Sequence, residues 1–379
     1  MKKGGQLSKK WKILFTIPNF DTAGSGKALL NIASRLNKKI FEPNIACLHD
    51  KGEFFKVVKE SGIPIHILQF TTPMIGRIKG ILHCWEISRL MKRVNPHIIH
   101  SFHYAPDYSE ALAARMAGIP WIYTKKNMNW GRKSKNGWKL RSFLAAHILA
   151  QNRDMIKYFF PNRKNVSLVS RGVDTDEFIS QEKDAKLIHK YNISVHEKVV
   201  LTVANLVPVK GIEILLDAIQ LLSRKDRSIR LFIVGDKNSD YGKLMEKKAD
   251  LYKHSSKIHF IGKVQDVKKY YSIADIFVLP TLDKGRREGS PVSLLEAMSC
   301  NIPIIASDVS GVNDILEPFP NTYFKAGDIS ALYELLNKML FNNKLCSGMD
   351  LQYRSYIKNN FDISLEVSRH ENIYKKLLK

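Results

Sequence analysis

Glu288 and Glu296, eight residues apart, and Lys210 well ahead of them are side chains whose types and spacing could do chemistry together. The two glutamates bracket Gly289-Ser290-Pro291-Val292-Ser293-Leu294-Leu295. Ser290 reads as a helix N-cap and Pro291 as the first helical residue, so unpaired amides and the positive end of a helix should face a passing anion. A diphosphate would suit that position, with the carboxylates accepting hydrogen bonds from sugar and ribose hydroxyls. A capped amphipathic helix with two surface glutamates would show the same spacing. Lys210, in Ala204-Asn205-Leu206-Val207-Pro208-Val209-Lys210-Gly211, falls on a strand-to-helix turn, where an ammonium can neutralise a departing phosphate. A solvated loop lysine is the alternative, but its coincidence with the glutamate segment favours the site.

Three weaker patterns need separating from these. Gly24-Ser25-Gly26-Lys27 resembles the end of a Walker A loop, yet Asp21 and Ala28 occupy places that motif gives to Gly and to Ser or Thr. What remains is a glycine-rich turn whose amides can approach a phosphate or an acceptor closely. Asp174-Thr175-Asp176 is a DxD string, read here as a linker turn rather than a metal ligand. His100 and His103 close the fourth strand and should face a cleft, which raises His103 as a candidate.

The elements that must position these residues follow from the apolar pattern. Short β-branched runs alternate with helical periodicity from Lys12 onward, and the pattern restarts at Lys198. Strands are expected at Lys12 to Ile17, Asn44 to Leu48, Ile65 to Phe70, His97 to Phe102, Trp121 to Thr124 and Val166 to Ser170. A second set runs through Lys198 to Ala204, Arg230 to Val234, Lys257 to Ile261, Ile276 to Pro280 and Ile302 to Ala306. Helices are expected at Lys27 to Asn37, Glu53 to Ser61, Arg77 to Val94 and Tyr108 to Ala117. The fold class is therefore α/β, with two Rossmann-like doubly wound parallel sheets facing across a cleft. Residues 1–180 should form the first domain and 181–359 the second, with a helix at about 360–379 returning to the first. Such a cleft binds ligands beyond the carboxyl ends of its strands.

At these motifs the chain resembles glycosyltransferase family 4, the retaining family with the GT-B architecture. The E-x7-E motif is matched by Glu288 and Glu296 within REGSPVSLLEAMSCNIPIIASDVSG, VANLVPVKG resembles the family's G-R-L-x-x-x-K-G loop, and RGVDTDEF resembles its interdomain segment. The resemblance implies that residues 1–180 bind the acceptor and 181–359 the nucleotide sugar, that Glu296 holds the ribose hydroxyls, that Glu288 contacts the donor sugar, and that Lys210 binds the diphosphate. It further implies that amides at Val292, Ser293 and Leu294 assist, that Gly262 to Val264 lie along the base, and that Gly24, Ser25 and Gly26 border donor and acceptor. No metal and no other cofactor is expected, because lysine and the helix end replace a cation. The chain departs from the family pattern at Asn205, where an arginine is common, at Arg171 in the linker, at Cys300-Asn301, and at Lys126, which stands where many members carry a sugar-facing histidine.

Composition sets the partners. The 379 residues carry a formal charge of +24, from 60 Lys+Arg against 36 Asp+Glu, which favours phosphorylated ligands, anionic lipid or nucleic acid. Four scattered cysteines, Cys47, Cys84, Cys300 and Cys346, suggest neither zinc nor a disulfide framework, and the apolar run Ile13 to Ile17 is too short for a signal sequence. The expectation is a cytoplasmic protein able to lie on the inner face of the membrane. Arg115, Lys125, Lys126, Arg132, Lys133, Lys135, Lys139, Arg141 and Arg153 fall in a stretch without acids, punctuated by Trp130 and Trp138, which suits an anionic bilayer. The expected partners are thus a nucleotide sugar, a glycan or lipid-linked acceptor, and that surface. A nucleic-acid-binding protein, a silent scaffold of the same fold and a sugar-nucleotide epimerase are the rival readings, and no recognised nucleic-acid motif supports the first.

Overall fold

The computed structural model describes residues 10–379 except 22, 75, 131–134, 225–227, 253, 286–287 and 342–349; Arg132, Lys133 and Cys346 thus lie outside the described residues. The first sheet comprises β1 (Trp11–Thr16), β2 (Phe41–Cys47), β3 (Ile65–Ile67), β4 (Ile98–Ser101), β5 (Trp121–Lys125), β6 (His147–Ala150) and β7 (Val166–Leu168). All pairings are parallel, in the order β3-β2-β1-β4-β5-β6-β7. Successive residues of β1 go to opposite sides: Ile13 and Phe15 join one core, Leu14 the other. Helices α1 (Ala23–Arg35) and α2 (Phe55–Glu60) cover the first side, and α3 (Arg77–Val94), α4 (Ser109–Ala117) and α5 (Lys135–Leu144) the second. A short α6 (Arg153–Phe159) follows β6.

After α7 (Ala185–Lys190), the second sheet takes β8 (Lys198–Val203), β9 (Ile229–Val234), β10 (Ile258–Gly262), β11 (Ile276–Leu279), β12 (Ile304–Ser307) and β13 (Tyr323–Phe324). Their order is β10-β9-β8-β11-β12-β13, again wholly parallel. Helices α8 (Ile212–Ser223), α9 (Asp240–Asp250), α10 (Lys268–Ile273), α11 (Val292–Ser299), α12 (Asn313–Leu316) and α13 (Ile329–Phe341) cover its faces. Each sheet reverses its order once, between β1 and β4 and between β8 and β11, and loops leaving the strands at such a switch point diverge to open a crevice. Both doubly wound sheets expected from the sequence are present.

The chain ends in two helices, α14 (Asp350–Asn360) and α15 (Ile363–Leu378), the second where a returning helix is expected. Tyr353 and Ile357 of α14 pack in the second domain, whereas Val367, Ile373 and Tyr374 of α15 pack in the first. The break at Asp362, which caps α15 by accepting the Ser364 amide, is where the chain crosses back. There it pairs with the outgoing linker: the amides of Val173 and Ile363 donate to the carbonyls of Phe361 and Val173, both at 2.9 Å. Buried Arg171 forms an ion pair with Glu366 at 3.0 Å, and the same carboxylate accepts the Gly172 amide at 2.7 Å.

Four expectations change. His100 does not face the cleft: it is fully buried, with Nδ1 on the Tyr374 hydroxyl at 2.7 Å and Nε2 on the Thr124 hydroxyl at 2.9 Å. Trp138 is buried against Tyr104, and Trp130 packs on Phe159 and Phe160, so neither is free to anchor in a membrane. Lys125 and Arg141 are buried as well. Helix α1 begins at Ala23, which puts the glycine-rich segment inside its first turn. Pro43 sits within β2 because the amide two residues on, at Ile45, points to Pro64 at the start of β3; the missing N–H of Pro43 faces a place β3 has not yet reached.

Among the described residues no helix is long and apolar enough to cross a membrane. Replacing one member of the buried Arg171–Glu366 pair leaves the other charge uncompensated. Glu366→Gln is expected to lower unfolding free energy by about 3 kcal/mol in a urea titration.

Candidate active site

Both loops at the second sheet's switch point contribute. After β8 the chain forms a 3-10 turn, Pro208–Lys210, and then Gly211 at φ +62°, the left-handed region. A Cβ at Gly211 would lie 2.1 Å from the Pro280 carbonyl oxygen, so only glycine lets this turn close on the end of β11. That approach brings Lys210 to the β11 loop, where its ammonium donates to Glu288 Oε1; the Thr281 hydroxyl donates to the same oxygen at 3.2 Å. The side chains of Lys210 and Glu288 are only 18% and 13% exposed.

Glu288 is held from the other domain too. Asn152 accepts the Met155 amide at 2.7 Å as the cap of α6, while its amide group donates to the carbonyls of Glu288 and Gly289 at 3.3 and 2.8 Å. Gly289 lies against the Lys126 backbone, where a Cβ would come within 2.1 Å of the Lys126 carbonyl oxygen. A cleft of about 420 Å³ results, lined by Lys126 and Asn127 of the first domain and by Asn205, Val207, Lys210, Glu288 and Gly289 of the second.

Helix α11 starts one residue later than its sequence predicts, with Pro291 as an N-cap that supplies no side-chain acceptor. Ser290 is therefore not the cap: its hydroxyl instead accepts the Arg171 amide, at 3.3 Å, because the linker passes beside it. The first-turn amides of Val292, Ser293 and Leu294 are left without an intrahelical partner, as at any helix start. Glu296, one turn on, is buried and accepts the Tyr271 hydroxyl at 2.9 Å. Burial pushes its carboxyl up to about 7, opposed by the charge of Lys27 and by the Tyr271 hydrogen bond.

From the first domain, Lys126 donates to the Ser25 hydroxyl at 3.1 Å and to the Phe102 carbonyl, and stands 5.0 Å from the Phe102 ring centroid. Burial, helped by Arg171 and Arg141, pushes its ammonium down to about 7. Gly24 is exposed with open space around it, whereas Gly26 is buried against the rings of Phe20 and Phe54. His103 is not among the residues lining the cleft. Its ring packs on Phe70, its Nδ1 is buried without a partner among the described residues, and burial beside Arg141 and Lys126 pushes it down to about 3, leaving a neutral imidazole. Gly262, at φ +87°, ends β10 beside Lys237, two strands from the switch point, and the half-buried Val264 follows two residues on.

Besides Asn152 and Thr281, which hold Glu288, two further contributors carry no site signal in the sequence. Tyr271, from α10, orients the Glu296 carboxylate, and Lys27 brings the first domain's positive charge to it. Lys27 was legible only as the end of a false Walker motif, and Tyr271 carried no local signal. Asp174 is a turn residue, paired with Arg35 at 2.7 Å and accepting the amides of Asp176 and Glu177. Among the described residues no group of three His, Cys, Asp or Glu could hold a metal ion.

The residues so assembled fall within two matched families. Residues 22–177 match Glycosyltransferase Family 4 and residues 183–356 match Glycosyl transferases group 1. The chain is 25% identical to the UDP-Gal:alpha-D-GlcNAc-diphosphoundecaprenol alpha-1,3-galactosyltransferase of Escherichia coli, over 91% of this chain and 94% of that one. It is 22% identical to the N,N'-diacetylbacillosaminyl-diphospho-undecaprenol alpha-1,3-N-acetylgalactosaminyltransferase of Campylobacter jejuni, over 87% and 90%. In fold it is similar to a Rickettsia africae glycosyltransferase (TM-score 0.84, 19% identity, 98% and 99% of the two chains). It is likewise similar to Anabaena HepE in complex with UDP and glucose (TM-score 0.81, 17% identity, 97% and 100%). The chain is a glycosyltransferase of GT-B fold and belongs to glycosyltransferase family 4.

Proposed function

We propose that the protein transfers a sugar, with retention at the anomeric carbon and without a metal, from a UDP- or GDP-sugar to a lipid-linked or cell-surface glycan acceptor. The observation that carries this reading is the convergence of Lys210, Glu288 and the uncapped start of α11 on the second sheet's switch point. The Escherichia coli and Campylobacter jejuni relatives are named for diphospho-undecaprenol acceptors, which supports an acceptor of that class.

Lys210 is paired with Glu288. An incoming diphosphate takes over the ammonium and meets the amides of Val292, Ser293 and Leu294, which releases Glu288 toward the donor sugar. As the C1–O bond to the diphosphate lengthens, negative charge grows on the leaving oxygen, where Lys210 and those amides stabilise it. The acceptor hydroxyl forms its bond to C1 from the same face, and its proton passes to the departing phosphate. Glu296 accepts hydrogen bonds from the ribose hydroxyls, Lys126 faces the sugar from the first domain, Gly262 and Val264 flank the base, and Gly24 and Ser25 border donor and acceptor, whereas Gly26 packs beneath them on Phe20 and Phe54. His103, expected as a catalytic group, keeps a neutral imidazole packed on Phe70 and has no part in this scheme.

Loss of the charge stabilisation should be large. Lys210→Ala and Glu288→Ala are each expected to lower transfer at least about a hundredfold in a nucleotide-release assay, and near-normal turnover in both would remove the site. NMR of the product should show the donor's anomeric configuration kept, and excess EDTA should leave the rate unchanged.

The pH dependence of nucleotide binding has a definite sign. The Glu296 carboxyl is raised to about 7, so it is an acceptor for ribose hydroxyls above that pH and is lost as one when pH falls through it. UDP or GDP should bind severalfold more tightly at about pH 8 than at about pH 6 in calorimetry, and Glu296→Gln should abolish the difference.

A further inference from the structure

With Trp138, Lys125 and Arg141 buried, the apolar surface lies elsewhere than the basic stretch indicated. On α3, Ile78, Ile81, Leu82 and Trp85 are 79, 46, 57 and 52% exposed, while Cys84, Ile87 and Met91 of the same helix enter the core. Spacings of three, four and seven put those four side chains on one outward face. Exposed Lys79, Arg89, Lys92 and Arg93 accompany them, with Glu86 as the acid among them. The Arg89 guanidinium lies over the Trp85 ring at 5.0 Å, so the basic and aromatic groups are contiguous.

Position matters as much as composition. A crossover helix runs back from the carboxyl edge of its sheet, so the apolar first turns of α3 lie toward the edge that opens on the cleft and the basic turns lie away from it. On the same side of the sheet, α5 adds exposed Lys139 and Phe143, the latter 75% exposed.

We propose that this face of α3 docks on an anionic lipid bilayer, with Ile78, Ile81, Leu82 and Trp85 entering the head-group region and the neighbouring Lys and Arg engaging acidic head groups. The inference rests on the lipid-linked acceptor proposed above and gives it a geometry: the mouth of the cleft is held at the membrane surface where such an acceptor emerges. Charge selects the occupant. A chain of +24 repels its own copies and attracts an acidic surface, and a short apolar face suits shallow insertion rather than a buried protein interface.

The test is sedimentation of the full chain with phosphatidylcholine vesicles containing roughly one third phosphatidylglycerol, against phosphatidylcholine alone. Binding should favour the acidic vesicles at least about tenfold, and the combined variant Ile78→Ser, Leu82→Ser, Trp85→Ser should lose at least about tenfold in partition while keeping UDP or GDP affinity. Should that variant fail to fold, Lys79→Glu, Lys92→Glu, Arg93→Glu should show the same loss. Undiminished binding in a folded variant, equal binding to neutral vesicles, or a change from dimer to monomer with vesicle binding intact would each overturn the proposal, the last by assigning the face to a second copy. Vesicle binding is read without any transfer, so its failure and the failure of the glycosyltransfer reading are separate results.

Discussion

The site depends on backbone meeting backbone across the cleft. Gly289 stands so close to the Lys126 carbonyl that no side chain could intervene, and Asn152 ties the same residue to the cap of α6. This contact fixes the loop after β11, and with it the direction in which Glu288 leaves the chain. On the opposite side Gly211 lets the loop after β8 touch Pro280, which fixes Lys210. The charged pair is thus located by two glycines rather than by the long flexible stems of its own side chains. Positioning of this kind costs no rearrangement when charge develops on a ligand.

The first domain uses its surplus of positive charge in a way that composition alone does not show. Lys125 is enclosed by the rings of Tyr104, Trp138 and Phe159 and donates to the carbonyls of Asn127 and Asn129. Arg141 lies over Trp121 and Tyr123 and donates to the Asp107 and His103 carbonyls, with the buried Glu110 nearby as its counter-charge. Aromatic faces and carbonyl oxygens replace water around these cations. Burial pushes Lys125 down to about 7, as it does Lys126. The wall of the cleft is therefore rigid and weakly cationic, suited to a ligand that brings its own negative charge.

Much of this was legible in the sequence. Central strands such as β8 and β9 are buried on both sides and read as unbroken apolar runs, and α3 matches its periodicity end to end. The spacing of Glu288 and Glu296 marked the second domain's loop because it is a local feature. β6 was missed: His147–Ala150 has four residues behind an alanine pair, and four residues cannot show a period. Ser290 was misread as a cap because its competing partner, the Arg171 amide, is 119 residues away. Lys125, Lys126 and Arg141 look alike in a sequence, and only packing decides which of them is buried.

The two domains are joined where the chain crosses twice, and the crossings are not equally attached. Arg354 holds the linker to the second domain through the Thr175 and Phe178 carbonyls at 2.8 and 3.0 Å, while Arg35 holds Asp174 and Glu366 holds Arg171 on the first. The free backbone between these anchors is short, about Gly172 to Val173 beside Phe361 to Asp362, and the crossings are hydrogen-bonded to each other there. A rotation of one domain on the other must pivot about this paired segment, because everything on either side is tied down. The pivot lies beside Ser290, which accepts the Arg171 amide, so the linker that would set the closure angle also touches the residue leading into α11.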